Sequence, residues 1–173
     1  ELKHRWVAYN QISPNLKKAL ITSEDAKFLD HEGFDWEGIQ TAWEKNLKKG
    51  KIVAGGSTIS QQLAKNLFLS GKKTPWRKLE EAAITVMMEQ MMSKRRIFEI
   101  YLNVIEWGNG VFGAEAAAKH YFRKSARSLS AGESAKLAAM VPNPRYYDKH
   151  RSDRRLLRKT RIIQRRMYYA DYP

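Results

Sequence analysis

Across residues 13–169 the apolar side chains recur at spacings of three and four, and no stretch alternates apolar with polar as a half-buried strand must. That pattern restricts the chain to helices packed on helices. Leu16, Ala19 and Leu20 make the first stripe, Trp36, Ile39, Trp43 and Leu47 the second, and Ile59, Leu63 and Leu67 the third. Ile84, Met87, Met88, Met91 and Met92 follow, then Ile97, Ile100, Tyr101 and Val104, and last Leu156, Ile163 and Met167. The stripes that begin at Trp36 and at Ile84 are expected to pack into the core. Local punctuation agrees with the periodicity. Ser13-Pro14 reads as an N-cap followed by a proline at the first helical position, Asp35 opens the second helix and Gly50 closes it, Ser57 opens the third, and Thr74-Pro75 the fourth. Ser130 with Glu133 makes a capping box, and Pro142 and Pro144 stop the helix that follows it. The fold class is therefore all-α, in a single domain over residues 1–173 with room for a small subdomain. A chain of this length buries about two-thirds of its unfolded surface.

Lys and Arg number 32 against 18 Asp and Glu, a net charge of +14, which points to an anionic partner such as nucleic acid, acidic phospholipid or a phosphorylated substrate. With no cysteine, disulfides and thiolate metal sites are excluded. No apolar run reaches the roughly 18 residues of a membrane span, and the opening ELKHRW is not a signal peptide.

Candidate chemistry concentrates in residues 23–35, SEDAKFLDHEGFD. Glu24 and Asp25 are adjacent and so point about 100° apart on a helix, which gives them different jobs. Phe28 and Leu29, one turn on, are expected to surround Glu24 with apolar groups and raise its pKa, as a general base near neutral pH requires. His31 and Asp35 flank Gly33 and read as a hydrogen-bonded pair bracing a sharp turn, or as part of a cation site. Downstream, Gly55-Gly56-Ser57 opens a helix whose free N–H groups suit an anionic oxygen, with Gln61, Gln62, Lys65 and Asn66 off its apolar face. Glu81 supplies a second carboxylate, and Lys65, Lys73, Arg77, Lys78 and Lys94 a basic cluster. Two carboxylates in unequal environments suit displacement at an anomeric carbon, and the cations suit a departing phosphate or pyrophosphate. The plain alternatives are a solvated acidic helix end at Glu24 and an ordinary cap at Ser57.

Five signatures, in order, resemble those of the peptidoglycan glycosyltransferases, glycosyltransferase family 51. They are Glu24-Asp25-x-x-Phe28-x-x-His31-x-Gly33-x-Asp35; Gly55-Gly56-Ser57-Thr58-Ile59-Ser60-Gln61-Gln62-x-x-Lys65-Asn66; Arg77-Lys78-x-x-Glu81; Lys94-x-x-Ile97-x-Glu99-x-Tyr101-Leu102-Asn103; and Ala138-Ala139-Met140-Val141-Pro142-Asn143-Pro144. Phe98 departs from the family's usual leucine. The length resembles the monofunctional branch, without a transpeptidase domain. The resemblance implies a lysozyme-like helical head with a smaller hydrophobic jaw resting on the membrane. Trp36, Trp43 and Phe68 exceed what one small core needs, so the second helix and Phe68-Leu69 are expected to help form that jaw. It further implies polymerisation of lipid II onto a growing glycan strand at the periplasmic face of the bacterial inner membrane, from an N-terminal anchor outside this chain. Glu24 would deprotonate the acceptor GlcNAc 4-hydroxyl, which attacks MurNAc C1 with inversion and expels undecaprenyl pyrophosphate. Glu81 would assist at the pyrophosphate, directly or through a divalent cation, magnesium or manganese. Ser57, Gln61, Gln62, Lys65, Asn66, Lys73, Arg77, Lys78 and Lys94 would bind it, while Asp25, Phe28, His31, Gly33 and Asp35 support the site. The implied partners are lipid II, an anionic membrane surface and proteins of cell division or elongation.

Two other classes compete. A lysozyme-like muramidase or lytic transglycosylase shares a helical fold and one catalytic glutamate but cleaves glycan; the Gly-Gly-Ser opening with Lys65 and Arg77 speaks against it. A nucleic-acid-binding helical domain rests only on the net charge and the basic last helix, which reads better as a solvated face that also attracts anionic lipid, so no nucleic-acid partner is expected.

Overall fold

The computed structural model describes residues 1–51, 56–68 and 74–173. In chain order the elements are β1 (Lys3–His4), α1 (Pro14–Glu24), α2 (Trp36–Lys49), α3 (Ile59–Phe68), α4 (Pro75–Met91), α5 (Lys94–Val104), β2 (Glu106–Gly108), β3 (Val111–Phe112), α6 (Ala114–Phe122), α7 (Ala131–Met140), α8 (Pro144–Lys149) and α9 (Arg154–Arg166). The helical class is as expected. The chain divides into two compact units, residues 1–26 with 98–173, and residues 27–97.

The first unit is built on α7. Its capping box forms as the sequence required, with Ser130 Oγ accepting from Glu133 N at 3.2 Å and Glu133 Oε1 accepting from Ser130 N at 2.9 Å. Ser134, Ala135, Leu137, Ala138, Ala139 and Met140 are all buried, and their mostly small side chains let α1 and α9 approach closely. Leu16 and Leu20 from α1 and Leu156 and Ile163 from α9 fill this contact, each contributing about 1.5 to 3 kcal/mol by burial. Ser13 caps α1 by accepting from Asn15 N, and Asp153 caps α9 by accepting from Arg155 N.

Three short strands were not foreseen. β1 runs parallel to β3, with Lys3 opposite Val111, and β3 pairs antiparallel with β2 across the Asn109-Gly110 turn. Strands of two or three residues carry too few positions for an alternating pattern to register. Gly110 has φ +77°, and a Cβ there would lie 2.8 Å from the Glu1 carbonyl oxygen, so only glycine closes this turn. Asn103, fully buried, anchors the N-terminal segment: its Nδ2 donates to the Val7 and Glu99 carbonyls at 3.0 and 2.9 Å, and its Oδ1 accepts from Val7 N at 2.9 Å.

In the second unit Asp35 Oδ1 accepts from Gly38 N at 2.9 Å to cap α2, and Gly50 closes it with φ +66°. The apolar stripe of α2 does not pack into the core. Trp36 is 70 % and Trp43 65 % exposed, and Leu47 is exposed beside them; Ala42 is the one buried residue of the helix. The methionine stripe of α4 is likewise not core: Met87 and Met91 are exposed, and the buried face is Glu81, Thr85 and Met88. Both differences have one cause. The unit is only a few helices thick, so α3, with Ile59 and Leu63 buried, covers a single narrow stripe of α4, and the remaining apolar positions face outward. Phe68 is exposed; Leu69 lies outside the described residues.

Candidate active site

In the first unit Glu24 is the last residue of α1, and Asp25, buried, ends the helix with its N–H on the Ile21 carbonyl at 3.0 Å. Because the helix stops there, Phe28 and Leu29 do not form its next turn; Phe28 is buried and Leu29 is exposed. Glu24 still sits in the environment a base needs. Burial pushes its carboxyl above the ordinary range, the Lys159 ammonium pulls it back, and the Asp25 charge raises it further. Tyr101, wholly buried on α5, has its hydroxyl held well above the ordinary phenol value by burial, then by the charges of Glu24 and Asp25. A phenol within electrostatic reach of both carboxylates thus keeps its proton at this end of α1. Lys159 was missed in the sequence because it sits among seven basic residues of the last helix. Its place was nonetheless readable: three residues after Leu156 and four before Ile163, it flanks the buried stripe.

In the second unit the loop after Ala26 folds around Gly33, whose φ is +107° and whose added Cβ would lie 2.9 Å from Thr85 Cγ2 and 3.2 Å from Glu89 Cγ. His31 Nδ1 accepts from Gly33 N at 3.0 Å, so His31 braces the turn while Asp35 is used as the cap of α2. Gly33 O accepts from Thr58 Oγ1 at 2.7 Å. Thr58, not the exposed Ser57, caps α3: its Oγ1 accepts from Gln61 N at 3.2 Å, and Gln61 Oε1 accepts from Thr58 N at 2.9 Å. Two of the amides expected to be open to an anion are therefore satisfied by side chains. Gly55 and Lys73 lie outside the described residues.

The cations divide into two groups. Lys94 Nζ pairs with Glu89 Oε1 at 2.7 Å, lies 4.5 Å from the centre of the Phe28 ring and 3.4 Å from His31 Nδ1. Glu89 also accepts from Ser60 Oγ at 2.5 Å, and so ties α3 to the start of α5; no sequence signal singled it out. On α4, Thr74 Oγ1 accepts from Arg77 N at 3.3 Å, and exposed Lys78 lies 3.5 Å from the buried Glu81 carboxylate. Lys65 and Asn66 are exposed on α3 and form no hydrogen bond or ion pair among the described residues, and Gln62 is half-buried. Among the described residues no group of three or more His, Asp or Glu side chains is placed to hold a metal ion.

A sequence model of the transglycosylase family matches residues 1–168, nearly the whole chain. The chain belongs to the transglycosylase family. It is similar to three proteins named biosynthetic peptidoglycan transglycosylase. That of Laribacter hongkongensis is 76% identical over all 173 residues, which span 76% of the relative. The Chromobacterium violaceum protein is 75% identical over the same length and share, and the Methylobacillus flagellatus protein 74% identical over 172 residues, or 75% of its length. In this transglycosylase the first unit holds Glu24, with Lys159 acting on its charge, and the second holds the cations Lys94, Lys78, Arg77 and Lys65.

Proposed function

We propose that this transglycosylase is a peptidoglycan glycosyltransferase that lengthens glycan strands from lipid II. The observation that carries the reading is Glu24 at the end of α1, raised by burial and opposed by Lys159. A carboxylate so placed accepts a proton at neutral pH more readily than a solvated one. Glu24 takes the proton of the acceptor GlcNAc 4-hydroxyl, the oxygen attacks MurNAc C1, and the bond from C1 to undecaprenyl pyrophosphate breaks with inversion. Lys94, held by Glu89, and Lys78, beside Glu81, neutralise the departing pyrophosphate together with Lys65, Lys73 and Arg77. A divalent cation fits here only as an ion shared with substrate, since the buried carboxylates beside these residues, Glu81 and Glu89, are each paired with a lysine and the other ligands would come from pyrophosphate and water.

The exposed apolar surface supports the same reading. Trp36 and Trp43 on α2, with Phe68, Trp76 and Leu79, are large, apolar and exposed, and lipid is the surface that such groups fit. No helix of the described residues is long and apolar enough to cross a membrane. The proposed place of work is the periplasmic face of the bacterial inner membrane.

Incubation with radiolabelled lipid II, followed by gel separation of glycan lengths, tests the proposal. Wild type yields a ladder, and Glu24→Gln reduces the rate by about 10² to 10⁴ while keeping its circular dichroism spectrum. Full activity in that variant removes Glu24 as the base. Release of material from purified sacculi, without polymer from lipid II, would favour glycan cleavage instead.

A further inference from the structure

The outer side of α9 belongs to none of the groups above. Its inner face is buried through Leu156 and Ile163. Arg154, Arg158, Arg161 and Arg165 stand at i, i+4, i+7 and i+11, which places them within roughly 60° of arc along about 16 Å of helix. All four are exposed, and none forms a hydrogen bond or ion pair among the described residues; on this helix the acidic Asp153 is occupied by Arg155. Like charges at i and i+4 destabilise a helix. A ridge of four is therefore a standing cost, which an anionic surface laid along it would relieve. Shallow clefts of 420 and 440 Å³, lined by Arg161, Gln164 and Arg165 and by Ile162, Arg165 and Arg166, flank its C-terminal end. Immediately beyond, Tyr168 is 73 % and Tyr169 87 % exposed. Arginines with exposed tyrosines at one end match the boundary between lipid headgroups and acyl chains, where an aromatic ring has one side apolar and one wet.

We propose that the Arg154, Arg158, Arg161 and Arg165 ridge, with Tyr168 and Tyr169, is a docking surface for the headgroups of anionic phospholipids. Each guanidinium presents a planar fork of donors that a lipid phosphate accepts in pairs, and the two tyrosines enter the headgroup layer beside them. The inference extends the membrane side of the proposed function and rests on it for the presence of a bilayer.

The test compares three forms of the 173-residue chain in sedimentation with sucrose-loaded vesicles, made of phosphatidylcholine alone or with about one quarter phosphatidylglycerol. The forms are wild type; the ridge variant Arg154→Gln, Arg158→Gln, Arg161→Gln, Arg165→Gln; and a charge-matched control, Lys18→Gln, Arg123→Gln, Arg127→Gln, Lys136→Gln. Wild type should prefer the anionic vesicles, with binding that weakens as salt rises. The ridge variant should lose roughly 10² to 10³ in partition, about fivefold for each arginine, while the control keeps most of its binding. Equal losses in both variants would reduce the effect to net charge, and wild-type binding by the ridge variant would remove the surface altogether; either overturns the proposal. So would tighter binding of wild type to duplex DNA than to the anionic vesicles. Polymerisation of lipid II in detergent, where no bilayer exists, should be unchanged in the ridge variant; a loss there would place the ridge in the catalytic machinery instead. If wild type makes no polymer and the vesicle result still holds, the proposed function fails and the docking surface stands.

Discussion

Replacing Thr58 with valine keeps the side-chain volume and removes one hydroxyl that makes two hydrogen bonds. Oγ1 accepts from Gln61 N as the cap of α3, and losing a cap of this kind costs about 1 kcal/mol. The same oxygen donates to Gly33 O in a buried position, and a carbonyl left there without a partner costs about 1 to 3 kcal/mol. The sum is roughly 2 to 4 kcal/mol, large against the ~5 to 15 kcal/mol by which domains are stable. Ser57→Ala is the matched comparison, since Ser57 is exposed and the cap is at Thr58, so its expected cost is within about 0.5 kcal/mol. Urea titrations followed by far-UV circular dichroism at pH 7.5 measure both, with the slope checked for constancy. If Thr58→Val falls within about 0.5 kcal/mol of wild type, or Ser57→Ala costs more than Thr58→Val, the cap lies at Ser57 and the coupling of α3 to the Gly33 turn is wrong.

Lys159→Met removes the charge that holds the Glu24 carboxyl down, so the acid limb of the kcat/KM profile should move to higher pH while activity well above it is kept; an unmoved limb would dissociate Lys159 from Glu24. The raised folded-state pKa of Glu24 means that the folded protein holds this proton more tightly than the unfolded chain. The resulting penalty is absent below the ordinary value of 4.5 and complete once pH passes the raised one. Glu24→Gln should therefore melt at a higher temperature than wild type at pH 8, with the gap closing as pH falls toward 4.5; a lower Tm at pH 8 would contradict the burial of a charged carboxylate. Trp36→Ser with Trp43→Ser should reduce flotation with liposomes even of uncharged lipid, and equal recovery with wild type would count against a membrane role for α2.

Helix existence and most helix ends were legible because their determinants are local. Ser13-Pro14, Asp35, Gly50, Thr74-Pro75 and the Ser130 to Glu133 box each act within four residues, and each stands where the sequence put it. Thr58 shows the limit of that reading: Ser57 and Thr58 are equally good caps, and the choice turned on Gly33 O, 25 residues away in sequence. Which apolar stripe is buried was not legible, because periodicity gives a face but not what lies against it; α2 and α4 present tryptophans and methionines outward for want of a covering helix. In the site, Glu24 and Lys94 were readable as motif positions. Glu89 was not, and Lys159 only as a position beside the buried stripe, since each gains its role from a partner brought by the fold, Lys94 and Ser60 in one case and Glu24 in the other.

The division of the chain bears on how it is made. α1 belongs to the first unit, yet its packing partners α7 and α9 are encoded after the whole of the second unit. A ribosome adding about 5 to 20 residues per second needs roughly 7 to 28 s to travel from Glu24 to Ile163. During that interval Leu16, Leu20 and the carboxylate at the end of α1 wait without the surfaces that later bury them, while residues 27–97 have every segment of their own unit about half-way through it. Synthesis from the N-terminus thus completes the inserted unit before its host, and a released fragment of residues 1–100 is expected to protect α3 and α4 from protease while leaving α1 open to it.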